Sequence, residues 1–144
     1  MKDLNAAFIT LGADVGGRDA DAATGPHLMK LRRLLAEECE GPYGKSLAEI
    51  ALVLRIDGSI QSWKRSDVSN VRLQKKARYA TADIFMPATV WKNGNALEIR
   101  EFMLSGVQTA IQAILERARK AKLDLNGEKI IQDLQRVAKA YSEE

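Results

Sequence analysis

A chain of 144 residues, 46% hydrophobic and 28% charged, has the size and composition of one ordinary folded domain, which excludes a disordered chain or a disulfide-dependent miniprotein. Its longest apolar run, Ile50–Leu54, is too short to span a bilayer, and its one cysteine, Cys39, excludes an internal disulfide. With a net charge of only +3 and an N-terminus, Met1–Asn5, that carries an acid and no apolar block, a cytoplasmic protein with no membrane partner is expected.

Residues 1–144 read as a single domain without repeats. The segment 1–24 is loop-rich: Ala6–Leu11 suits a short strand, but 12–25 is dense in Gly, Asp and Ala. A helix over 27–40 follows, with Leu28, Leu31, Leu34 and Leu35 at helical spacing, Pro26 in its first turn and Gly41-Pro42 ending it. From residue 47 the period becomes two. Ile50, Leu52, Leu54 and Ile56 fall on one face, and Asp57-Gly58 offers a two-residue hairpin turn that sets Leu54 opposite Gln61 and Leu52 opposite Trp63. Val71–Met86 reads as one long bent strand or as two short ones, closed by Pro87, which has no amide to donate. Segment 47–90 is therefore expected to be an antiparallel meander. Segment 95–143 holds two helices. Asn95 with Glu98 marks the first start; Met103, Val107, Ala110, Ile111, Ile114 and Ala118 form its stripe to about Lys122, and Asn126 opens the second, striped by Ile130, Leu134, Val137 and Tyr141. The fold class is α+β: an antiparallel sheet of three to four strands packed against an N-terminal helix and two C-terminal helices.

Enzymatic templates fail one by one. A Ser–His–Asp or Cys–His system needs a histidine base, and the chain has only His27, which reads as a surface residue of a helix start. Cys39 stands among Glu37, Glu38 and Glu40, whose charge raises a thiol pKa rather than activating it. One His and one Cys do not make a zinc site. Gly12–Gly17 matches neither the dinucleotide fingerprint nor the P-loop and reads as a turn. No catalytic residue, metal or cofactor is expected.

One segment rises above this background. Residues 61–80 carry six basic residues against Asp67 alone, whereas 1–60 hold seven basic and nine acidic residues and 81–144 hold nine of each. The whole positive excess thus sits in twenty residues. Lys64, Arg65, Arg72, Lys75, Lys76 and Arg78 are the candidate partner-binding residues; on a strand, Arg72, Gln74, Lys76 and Arg78 share a face. Such a face reads as a solvated or aggregation-blocking edge, as a nucleic-acid surface, or as the seat of an acidic protein partner.

The order of these elements resembles the small immunity proteins that accompany bacterial polymorphic and contact-dependent growth-inhibition toxins. The resemblance spans residues 46–122. It is carried by Ile50–Trp63, by Ser66-Asp67-Val68, by Ala82-Asp83-Ile84-Phe85-Met86-Pro87 with Trp91, and by the long helix that follows. It implies a cytoplasmic antidote that binds a cognate toxin domain without catalysis; a small RNA- or DNA-binding protein is the alternative. Antidotes to nucleases are often acidic, so the basic balance here suits a toxin with an acidic surface instead.

Overall fold

The computed structural model describes residues 9–14, 25–39, 41–44, 50–57, 71–74 and 80–143. In chain order its elements are β1 (Ile9–Asp14), α1 (Gly25–Glu38), β2 (Ile50–Asp57), β3 (Val71–Leu73), β4 (Thr81–Pro87), α2 (Ala88–Asn93), α3 (Ala96–Lys120) and α4 (Gly127–Ser142). The class is α+β, as expected, but the sheet is mixed and mostly parallel. Its order is β1-β2-β4-β3. β1 runs parallel to β2 from Ile9↔Ile50 to Asp14↔Arg55, and β2 runs parallel to β4 from Ala51↔Thr81 to Asp57↔Pro87. Only β3 lies antiparallel, with Arg72 opposite Asp83.

The expected meander is therefore corrected. Residues 58–63, the second arm of the hairpin, lie outside the described residues, but both hydrogen-bonding edges of β2 at Leu52 and Leu54 are filled, by β1 and β4. Neither residue pairs with Gln61 or Trp63. Alternation identifies which face of a strand is buried and leaves its neighbour open. Ala82, Ile84 and Met86 offer β2 a matching apolar face on one side, and Ile9 and Leu11 do so on the other. Val71–Met86 resolves into two strands, and β4 ends at Pro87. The N-terminal strand runs on to Asp14, three residues past its expected end at Leu11, and takes in Gly12, where a Cβ would meet nothing within 4 Å; residues 6–8 of the expected strand lie outside the described residues.

The helices follow their sequence signals closely. Asn95 caps α3, its Oδ1 accepting from the Glu98 amide at 2.8 Å, and Asn126 caps α4 through the Lys129 amide at 3.1 Å. The short α2, which no periodicity announced, tucks Val90 and Trp91 into the core. The sheet is buried on one face: Leu52, Leu54, Ala82, Ile84 and Met86 are at most 2% exposed, while Ala51, Val53, Arg55, Thr81, Asp83 and Phe85 are all partly accessible. α3 crosses the buried face so closely that a Cβ on Gly106 would come within 2.7 Å of Ile84 Cγ2. α4 packs on α1 and α3 and runs antiparallel to α1. The Tyr141 hydroxyl donates to the His27 carbonyl at one end (3.3 Å), and Arg136 donates to the Glu38 carbonyl at the other (3.1 Å). The result is a sheet with helices stacked on one side.

Candidate partner-binding surface

The partly accessible face of the sheet is where strand alternation has placed polar and aromatic groups together. Arg55 on β2, Asp83 and Phe85 on β4, and Arg72 and Gln74 on or just after β3 converge there. Asp83 Oδ1 accepts from Arg55 Nε at 3.0 Å and from Gln74 Nε2 at 2.9 Å, so one carboxylate ties three adjacent strands together. The exposed Arg72 lays its guanidinium over the Phe85 ring, 5.6 Å from the centroid, which holds the charge outward while its stem covers apolar surface. From α3, Arg117 reaches the sheet edge and donates to the Gln74 carbonyl at 3.4 Å. Among the described residues the ledge is cationic, with one acid, Asp83, serving as its internal tie.

Of the six residues singled out in the sequence, Arg72 lies on this ledge; Lys64, Arg65, Lys75, Lys76 and Arg78 lie outside the described residues. Gln74 shares the open face with Arg72, as the strand pattern required. Arg55, Asp83 and Phe85 had no signal in the sequence, because they meet only through the parallel pairing of β2 with β4.

A second polar cluster sits under the helices. Asp133, 2% exposed, accepts from the Tyr43 hydroxyl at 2.5 Å, from Lys129 Nζ at 3.2 Å and from Arg136 Nη2. Burial pushes its carboxyl pKa up, but these three donors outweigh that and hold it below its usual value. Lys129 also lies over the Tyr43 ring, 5.1 Å from the centroid. Burial and the bond to Asp133 keep the Tyr43 phenol well above its ordinary pKa, so it serves as a donor. The segment carrying Tyr43 is pinned from the other side as well: its carbonyl accepts from the Asn126 amide, and Gly44 pairs with Leu125 against a backbone that a Cβ would strike. Asp133 occupies one place in the otherwise apolar stripe Ile130–Leu134–Val137–Tyr141, and that misplaced charge was its signal in the sequence.

This cluster has the form of a lock rather than of a reaction centre. The Cys39 thiol nearby is pushed up to about 11, chiefly by its burial and only secondarily by the Asp133 charge, so it stays protonated near neutrality. The neighbouring glutamates, expected to dominate, are engaged elsewhere: Glu37 pairs with Arg33 at 3.1 Å and Glu38 with Arg136 at 3.5 Å. His27 and Cys39 stand at opposite ends of α1, roughly 18 Å apart at 1.5 Å per residue, and do not form a dyad. Among the described residues no three His, Cys, Asp or Glu side chains gather as a metal site, and no helix is long and apolar enough to cross a membrane.

A protein-family model described as immunity protein 44 matches residues 8–140, which is nearly the whole chain. No curated protein and no solved structure matches it.

Proposed function

The chain belongs to the immunity protein 44 family, and on that premise we propose that it is a non-catalytic cytoplasmic antidote that binds and neutralises the toxin domain of a polymorphic or contact-dependent growth-inhibition system. The observation that supports this reading best is the open cationic ledge. A sheet face with Arg72 and Arg55 held outward, continuous in sequence with Lys64, Arg65, Lys75, Lys76 and Arg78, suits an acidic patch on a protein partner. An arginine stacked as Arg72 is, over Phe85, is also a side-chain type enriched among the residues that dominate protein interfaces. Inhibition then consists of occupying the toxin surface, with no bond made or broken.

The test is titration of the purified domain against the toxin domain encoded beside it, against RNA and against duplex DNA, at two salt concentrations. Tight toxin binding is expected, with association slowed by salt because complementary charge acts mainly on the encounter rate. Reversal of Arg72, Lys76 and Arg78 to Glu should abolish that binding and leave the fold intact. Micromolar nucleic-acid binding near physiological salt, falling log-linearly with salt and with no binding to the toxin, overturns the reading.

A further inference from the structure

We propose that the outer surface of α3 and α4 is a dimerisation face, on which a second copy of this chain packs about a twofold axis through the middle of α3. The first observation is an absence of charge. In a chain with 28% charged residues, α3 carries none from Phe102 to Leu115, although Gln108 and Gln112 in that stretch are exposed. The facing turns of α4 add exposed Ile131 and Gln135, also uncharged. A helix face turned to water ordinarily carries charge; loss of charge without loss of exposure is how the centre of a protein interface is composed.

The second observation is relief. Two grooves run in succession between α3 and α4 and meet at Gln108. One, of about 440 Å³, is lined by Leu97, Leu104 and Tyr141 together with Arg100, Glu101 and neutral polar side chains, and the next, of about 240 Å³, by Ile111, Ile131 and Leu134 together with three glutamines. Leu97 and Ile131, 60% and 45% exposed, stand at these two grooves. One surface thus carries both apolar projections and hollows of mixed apolar and polar lining, the relief that a face packing against its own copy needs.

Charge at the two ends selects a second copy over a foreign partner. Glu98, Arg100 and Glu101 before the neutral stretch sum to −1; Glu116, Arg119 and Lys120 after it sum to +1, Arg117 being turned to the sheet edge. A twofold axis through the neutral middle sets the −1 end of each copy against the +1 end of the other, twice. The helix macrodipole accounts for acids early and bases late, but it does not account for the empty middle. A charged foreign surface laid on that middle would lose its water and find no counter-charge. Size agrees as well. At 1.5 Å per residue the 25 residues of α3 extend about 37 Å and the 16 of α4 about 24 Å, so the strip they form covers roughly 600 Å² per protomer, at the lower end of the standard interface range. The face lies behind the helices, away from the open sheet, so each protomer of the dimer keeps its ledge free.

The experiment is sedimentation equilibrium of the full chain from nanomolar to high micromolar concentration. Particles of twice the 15.9 kDa chain mass are expected to dominate at the upper end. Gln108→Glu and Ile131→Glu, each met twice across the axis, should raise the dimer dissociation constant by at least about tenfold with an unchanged thermal melt. Gln108, which meets its own copy at the axis, gives the charge-swap test: Gln108→Glu and Gln108→Lys should each favour the monomer alone and restore the dimer when mixed. A monomer throughout overturns the proposal, as does a dimer that survives Gln108→Glu and Ile131→Glu together or one that mixing the Gln108 Glu and Lys variants fails to restore.

Discussion

Among the described residues the chain sets an arginine beside an aspartate in two places, with opposite consequences. At Asp133 the carboxylate is 3% exposed and accepts hydrogen bonds from a phenol, an ammonium and a guanidinium that arrive from two separate segments. At Asp83 it is 14% exposed, and the paired Arg55, 35% exposed, lies on the accessible face of the sheet. The first site joins α4 to the Tyr43 segment beneath it, so its strength is spent on tertiary structure. The second joins strands that already share a backbone ladder, which leaves its charge available to a partner. Burial and the distance in sequence between the joined parts decide which use a pair serves.

The largest expected effect that sharpens this contrast is at the lock. Asp133→Ala leaves the Tyr43 hydroxyl buried without its acceptor, while Lys129 and Arg136, 36% and 51% exposed, can turn to water. Removing one partner of a fully buried ion pair costs 3–5 kcal/mol; with the cations half-exposed here, about 2–3 kcal/mol is expected by urea denaturation. A loss below about 1 kcal/mol would erase the distinction between the two sites.

The same site predicts an acid response. A carboxyl whose folded pKa lies below its unfolded value stabilises the fold fully above the unfolded pKa, about 3.9 for Asp, and loses that contribution as pH falls through the lower folded value. Stability should therefore fall below about pH 4, and Asp133→Asn should flatten that acid limb while lowering stability at neutral pH. An acid limb as steep in the variant as in the parent would place the titrating carboxylate elsewhere.

The legibility of these features in the sequence follows the range over which their physics acts. Helices are local: the Leu28–Leu35 stripe, the Asn95 cap and the Asn126 cap each depend on residues within a few positions, and each was found to within two residues of its place. Strand faces are also local, which is why Ile50, Leu52 and Leu54 were placed correctly on the core side. Strand neighbours are not. The parallel pairings β1–β2 and β2–β4 close across long connections, and the Asp57-Gly58 turn signal carried no information about the two ladders that fill both edges of β2. Of the candidate surface, Arg72 was legible from charge density alone, whereas Arg55 and Asp83 lie 28 residues apart and meet only once the parallel register exists.

The smallest expected change in stability, and the one that tests the open face most directly, is at Asp83. Asp83→Asn keeps an Oδ1 acceptor for Arg55 and Gln74, and the lost pair is partly solvated, so stability should change by less than about 1 kcal/mol. Electrostatically the substitution does more. Arg55 and Arg72 lose the one acid that offsets them on this ledge among the described residues, and the field toward solvent becomes more positive. With an acidic partner, association should then be faster than for the parent at low salt and should converge with it as salt rises, while dissociation changes little. Arg72→Glu should act in the opposite direction on the same rate. Stopped-flow association at two salt concentrations distinguishes the cases. Slower binding by Asp83→Asn would mean that the partner needs the carboxylate itself, and the ledge would then be recognised through Asp83 rather than through its arginines.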